Sequence, residues 1–131
     1  MKLELRDGLL FTSLKIIYFG NEKTIDNIVL DTGAVETLIS PDTVLDIGIE
    51  ALNNDSVNSY YGIGGDLHSF FSKTVDSIEI DNIKLNGIKL DFGVIDPHGD
   101  INGLLGLDIL LKLGTQIDLK ELTVNFSSTK T

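Results

Sequence analysis

The chain has 131 residues, with 20 acidic side chains against 10 Lys and Arg, a formal net charge of −10 and no cysteine. That length fits one domain, residues 1–131, and a 42% hydrophobic, 23% charged composition excludes wholesale disorder. The acidity excludes the phosphate-neutralising surface of a nucleic-acid binder and a polybasic membrane contact, and the lack of cysteine excludes disulfides and thiolate metal clusters.

Taken in chain order, the N-terminus carries Glu4 and Asp7 where a signal peptide needs an unbroken apolar stretch. The richest apolar run, residues 104–113, is interrupted by Asp108 and Lys112 and is too short to span a bilayer. A soluble, cytoplasmic protein with no membrane partner is expected. Residues 9–19 and 24–30 are β-branched and aliphatic and read as strands joined by a hairpin loop at Gly20-Asn21-Glu22-Lys23. Residues 41–45 suit a short helical turn, with Ser40 as N-cap and Pro41 at the first helical position. Residues 77–80 and 88–92 alternate apolar and polar, as half-buried strands do. Asp81-Asn82 and Asn86-Gly87 read as turns, the second as a strong hairpin signal. Residues 108–114 read as the one clear helix, capped by Asp108, with Lys112 in the last turn and Gly114 as its stop. A closing hairpin is expected from residues 115–119 and 122–126 around Lys120-Glu121. The expected fold is all-β, with one short helix near the C-terminus.

Ile28-Val29-Leu30-Asp31-Thr32-Gly33-Ala34 carries the chemistry. An apolar strand runs straight into a carboxylate, and a carboxylate at the buried end of a strand is costly unless hydrogen-bonded or paired. Such positions tune carboxyl groups for acid–base work. With 14 Asp, 10 Thr and 13 Gly, composition alone gives roughly 14×10×13/131², about 0.1, Asp-Thr-Gly triplets. Taken alone, the triplet also suits a strand ending in an ordinary turn. Two more segments follow it. Tyr61-Gly62-Ile63-Gly64-Gly65 has three glycines in four positions, which lets a hairpin tip bend and approach a ligand. Gly103-Leu104-Leu105-Gly106-Leu107-Asp108 is an apolar strand that ends at a glycine and opens the helix.

In that order, the three segments resemble the retropepsin-like aspartic proteases, the family of the retroviral proteases and their cellular and bacterial single-domain relatives. The resemblance covers residues 9–126. It implies a closed β-barrel of the acid-protease fold and an aspartic endopeptidase without a cofactor, with Asp31 as the catalytic carboxylate. Two carboxylates are needed and the chain has one Asp-Thr-Gly triplet, so the resemblance implies a homodimer acting on a peptide or protein substrate. By the same resemblance, Thr32 links the two active-site loops, Gly33 presents its carbonyl to substrate and Ala34 leaves room for it. Tyr61, Gly62, Ile63, Gly64 and Gly65 form the flap, while Val35, Ile101, Leu104 and Leu105 line the substrate pockets.

Two departures stand out. Where retroviral relatives carry an acid after Asp-Thr-Gly-Ala and an Arg after the late glycine, this chain has Val35 and Leu107. They motivate a second reading, a catalytically silent member used for peptide binding or dimerisation. A third is an unrelated ligand-binding β-barrel with Asp31 on its surface. His68 and His98 lack a ligand pattern around them, so no metal site is expected. Ser40 and Ser69 lack the His and Asp of a serine hydrolase. Asp108 reads as a helix cap rather than a second catalytic acid.

Overall fold

The computed structural model describes residues 1–52, 55, 57–61, 67–95 and 98–127. Among them, β1 (Glu4–Arg6), β2 (Leu9–Tyr18), β3 (Asn21–Leu30), β4 (Leu38–Ile39), β5 (Val57–Tyr61), β6 (Leu67–Ile80), β7 (Ile83–Gly93) and β8 (Gly103–Leu105) form one sheet. Helix α1 (Leu107–Lys112) follows, then the hairpin of β9 (Thr115–Asp118) and β10 (Thr123–Phe126). The sheet order is β1-β2-β3-β8-β4-β7-β6-β5, and β2 also pairs with β6, placing Lys15 opposite Glu79 and Ile17 opposite Ser77. That pairing closes β2, β3, β8, β4, β7 and β6 into a six-stranded barrel, whose closure leaves these strands no free edge.

The barrel is filled by the aliphatic positions of those strands. Ile16, Ile28, Ile39, Ile78, Leu90, Phe92 and Leu105 are all buried at 1% exposure or less, and each such side chain contributes about 1.5–3 kcal/mol. Phe71 stacks on Phe92 with ring centroids 5.4 Å apart. Gly103 is required by the packing. A Cβ there would lie 2.6 Å from Ile28 Cδ1 and 2.9 Å from Ile39 Cδ1, so only glycine lets neighbouring strands share that space.

The expected hairpins form, with shifted ends. Phe19 and Gly20 both have positive φ, 47° and 80°, so a two-residue turn sets Tyr18 opposite Asn21, and β3 begins earlier than its apolar run. Asp81-Asn82 turns between β6 and β7, where Ile80 faces Ile83. Asn86-Gly87 does not turn. It lies inside β7 with Asn86 opposite Ser77, although Gly87 keeps φ at +62°. The 14-residue β6 offers ladder partners on both sides of this point, and that pairing overrides the local turn preference. The expected turn at 41–45 becomes two single 3-10 turns, Pro41–Thr43 and Leu45–Ile47. The Ser40 hydroxyl does not cap the first. Its carbonyl instead accepts from the Thr43 amide and hydroxyl.

Near the chain ends, the Leu3 amide donates to Leu122 O at 2.8 Å and the Val124 amide to Met1 O at 2.9 Å, joining the first residues to the closing hairpin. Among the described residues, no helix is long and apolar enough to cross a membrane.

Candidate active site

Asp31 owes its place to a parallel pairing. Ile28, Val29 and Leu30 of β3 face Gly103, Leu104 and Leu105 of β8, and the Asp31 amide extends the ladder by donating to Leu105 O at 3.0 Å. The side chain is half-buried just where β3 leaves the barrel. Its Oδ1 accepts the Gly33 amide at 2.9 Å, while its carbonyl accepts the Ala34 amide at 3.2 Å. A tight loop therefore supplies the carboxylate with a backbone hydrogen-bond donor. Thr32 and Gly33 are exposed at the loop's crest and Ala34 is half-buried.

A second set of bonds ties this loop to the start of α1. The Leu107 amide donates to Ala34 O at 2.8 Å and the Asp108 amide to Val35 O at 3.1 Å. Thr37, only 1% exposed, is the centre of the join. Its hydroxyl donates to Asp108 Oδ1 at 2.7 Å and accepts the Gly106 amide at 3.0 Å, while its own amide donates to Asp108 Oδ2 at 3.1 Å. The Ile109 amide also reaches Asp108 Oδ1, at 2.8 Å. Asp108 thus is not the helix cap the sequence suggested. Gly106 holds the N-cap position, and Asp108 sits inside α1 with its carboxylate turned to the Asp31 loop. Glycine is obligatory at 106 for a steric reason: a Cβ would lie 2.7 Å from Glu36 C and O.

The expected substrate-side residues divide. Val35 is 75% exposed, and Ile101 and Leu104 are half-buried. Leu105 is a correction, because it is fully buried in the barrel core. Successive strand residues face opposite sides, so Leu104 and Leu105 cannot both line one groove. Tyr61 ends β5, paired with Leu67 of β6. The expected flap tip, Gly62, Ile63, Gly64 and Gly65, lies outside the described residues. Ahead of β5, Asp55 Oδ2 is paired at 2.8 Å with Lys73 Nζ of β6 and also accepts the Leu52 amide at 2.6 Å. The Lys73 hydrogen bond, then the Leu52 amide, hold the Asp55 carboxyl below its ordinary range. On the other side of the loop, Thr32, Leu107, Leu110, Leu111 and Ile117 line an apolar hollow of about 230 Å³.

Sequence reading missed Thr37, the clamp role of Asp108 and the Lys73–Asp55 pair. Thr37 did leave a faint signal, a polar residue directly before the buried strand Leu38–Ile39. Among the described residues, no three His, Cys, Asp or Glu side chains are grouped so as to hold a metal ion.

A closed β-barrel in which parallel strands set an Asp-Thr-Gly loop beside a short late helix defines the retropepsin-like class. The family model for aspartyl proteases matches residues 15–109, and the chain belongs to that family. Solved structures share its fold. A retropepsin-like aspartic protease from Rickettsia conorii is 21% identical with a TM-score of 0.67, over 94% of this chain and 86% of that one. The retroviral protease-like domain of Ddi1 from Leishmania major is 13% identical with a TM-score of 0.62, over 92% and 90%. The EIAV protease, in complex with the inhibitor HBY-793, is 20% identical with a TM-score of 0.62, over 88% and 98%. No curated protein sequence matches the chain.

Proposed function

We propose that this protein is an aspartic endopeptidase whose active site forms between the Asp31 carboxylates of two identical chains. The observation that carries this reading is Asp31 itself, held half-buried at the end of β3 by the Gly33 amide and the Leu105 carbonyl. A single barrel offers one such carboxylate, and peptide hydrolysis by this chemistry uses two. Two carboxyl groups brought close share one proton and titrate as a unit. The ionised partner takes a proton from a water as that water attacks the scissile carbonyl carbon. The protonated partner hydrogen-bonds the carbonyl oxygen, and the leaving nitrogen is protonated as the C–N bond breaks.

Support for the two-chain arrangement comes from what surrounds the loop. Thr32 is exposed beside the apolar hollow of Leu107, Leu110 and Ile117, with Leu111 75% exposed at its side. A surface of that kind suits a second copy meeting it about a two-fold axis, with Thr32 linking the paired loops. Gly33 and Ala34 would receive the peptide backbone, and Val35, Ile101 and Leu104 its side chains. The segment Tyr61-Gly62-Ile63-Gly64-Gly65 would close over substrate and exclude water.

The test is incubation of the wild type and Asp31→Asn with a diverse peptide pool from acidic to neutral pH, with cleavage read by mass spectrometry. Cleavage by the wild type alone is the expected result. Cleavage that survives Asp31→Asn would refute the assignment. Silence from both proteins would favour the non-catalytic peptide-binding reading that Val35 and Leu107 motivate.

A further inference from the structure

β3 is not a regular strand, and its irregularity decides which way Asp31 faces. Leu14 of β2 stands opposite Ile25 and Thr12 opposite Ile28, so Ser13 alone spans Asp26 and Asn27. One extra residue in a strand moves everything after it to the other face of the sheet. Ile25, Ile28 and Leu30 accordingly all belong to the core, although Ile25 and Ile28 are three positions apart. With the bulge, Asp31 continues the β3 ladder on the face opposite Leu30, away from the core. Without it, Asp31 would take the parity of Ile25 and point inward. Asn27 carries the bulge with φ at +59°, a left-handed conformation that asparagine adopts more readily than other non-glycine residues.

Two residues from outside β2 and β3 hold this bulge. Arg6 of β1 donates from Nη2 to Asn27 Oδ1 at 2.7 Å. Its guanidinium lies 3.9 Å above the Phe11 ring, and its Nε is 3.1 Å from Glu4 Oε2. Phe11 is buried and pairs across the sheet with Val29, which shares its face of β3 with Asp31. Asn102, immediately before β8, approaches the bulge from the other side. Its amide donates to Asn27 O and its Nδ2 to Asp26 O, both at 2.9 Å, while its carbonyl accepts the Ser40 amide beyond β4 at 2.9 Å. The bulge is thereby fastened to β1, to β8 and to the end of β4. We propose that Arg6 and Asn102 are positioning residues for Asp31, holding the Asp26–Asn27 bulge so that β3 delivers the carboxylate to its loop in a single register. Both act through the backbone of β3 and not by contact with a substrate.

The catalytic consequence rests on the protease reading, the register of β3 does not, and the experiment separates the two. Arg6→Met keeps a long side chain and removes the guanidinium. Asn27→Gly keeps the left-handed backbone and removes the acceptor. Asn102→Asp turns the donor to Asp26 O into an acceptor. Each is compared with wild type and with Ile80→Val, a core substitution at the β6–β7 turn that supplies a general loss of stability. Backbone NMR follows the Gly33 and Ala34 amides, which bond Asp31, and peptide cleavage gives kcat and KM separately. Arg6→Met and Asn27→Gly should displace both amide signals, and the double variant no further than either, because the two changes remove the same bond. Asn102→Asp should displace them as well, and Ile80→Val should leave them in place. In cleavage, kcat should fall about tenfold in the displaced variants while KM stays within about twofold. Amides that keep their wild-type positions in Arg6→Met and Asn102→Asp, or that move as far in Ile80→Val, would overturn the positioning role. An active wild type whose kcat is unchanged in variants with displaced amides would overturn it too. Displaced amides in a protein whose wild type cleaves nothing would count against the protease reading alone.

Discussion

Replacing Thr37 by Val tests whether the join between the Asp31 loop and α1 holds the site together. Valine matches threonine in shape, so no cavity opens and only the hydroxyl is lost. Two interactions go with it in a position 1% exposed: the donation to Asp108 Oδ1 at 2.7 Å and the acceptance of the Gly106 amide at 3.0 Å. A hydrogen bond to a charged group contributes about 1.5–3 kcal/mol, and a buried amide left without a partner costs about 1–3 kcal/mol. With the Thr37 amide still bonded to Asp108 Oδ2, the expected loss is about 3–5 kcal/mol. Against a typical total of about 5–15 kcal/mol, that is a large fraction. Urea unfolding followed by circular dichroism measures it, with an unchanged m-value showing that the denatured state is unaffected. Thr37→Ser is the control, since it keeps the hydroxyl and loses one methyl, worth about 1 kcal/mol. A Val variant within about 1 kcal/mol of wild type, or more stable than the Ser variant, would refute the reasoning.

Gly106→Ala should destabilise the chain by about 1–3 kcal/mol in the same urea assay, because the new methyl must push the Glu36 carbonyl aside from 2.7 Å. Leu111→Glu should weaken self-association at least tenfold in sedimentation while leaving the melting temperature within about 2 °C, since this leucine is 75% exposed. Asp55→Asn bears on the acid side. The folded-state pKa of Asp55 lies below its ordinary value, chiefly through the Lys73 hydrogen bond. Its contribution is therefore present above the ordinary aspartate range and lost as pH falls through it. The melting temperatures of wild type and Asp55→Asn should differ most near neutrality and converge at low pH. A constant gap would contradict the pairing.

Local signals carried the hairpins. The apolar runs at 9–19 and 24–30 and the turn at Asp81-Asn82 reappear as strands and a tight connection, because they depend on residues adjacent in the chain. Asn86-Gly87 shows the limit of that information, since its turn preference yields to a ladder with β6 that no local window contains. The position of Asp31 at the end of an apolar strand was legible for the same local reason. Its surroundings were not. Thr37 meets Asp108 only because β4 lies between β8 and β7, with one antiparallel and one parallel neighbour. Nothing in the composition of a two-residue strand announces such a placement. Leu104 and Leu105 make the smaller version of the point: an apolar pair was readable, but the side each member faces depended on the pairing register.

The parallel pairing of β3 with β8 also has a temporal consequence. Ile28 meets Gly103 only after the intervening 74 positions have closed on themselves, and long-range closure of that kind is entropically costly and slow. As the polypeptide is synthesised from its N-terminus, Asp31 emerges while the Leu105 carbonyl and the Gly106–Asp108 segment have not yet been made. Throughout that interval the Asp31 loop has no β8 to lie beside and no clamp at Thr37. Nascent and half-folded chains thus carry the Asp-Thr-Gly triplet without its architecture, a latency written into the order of the strands.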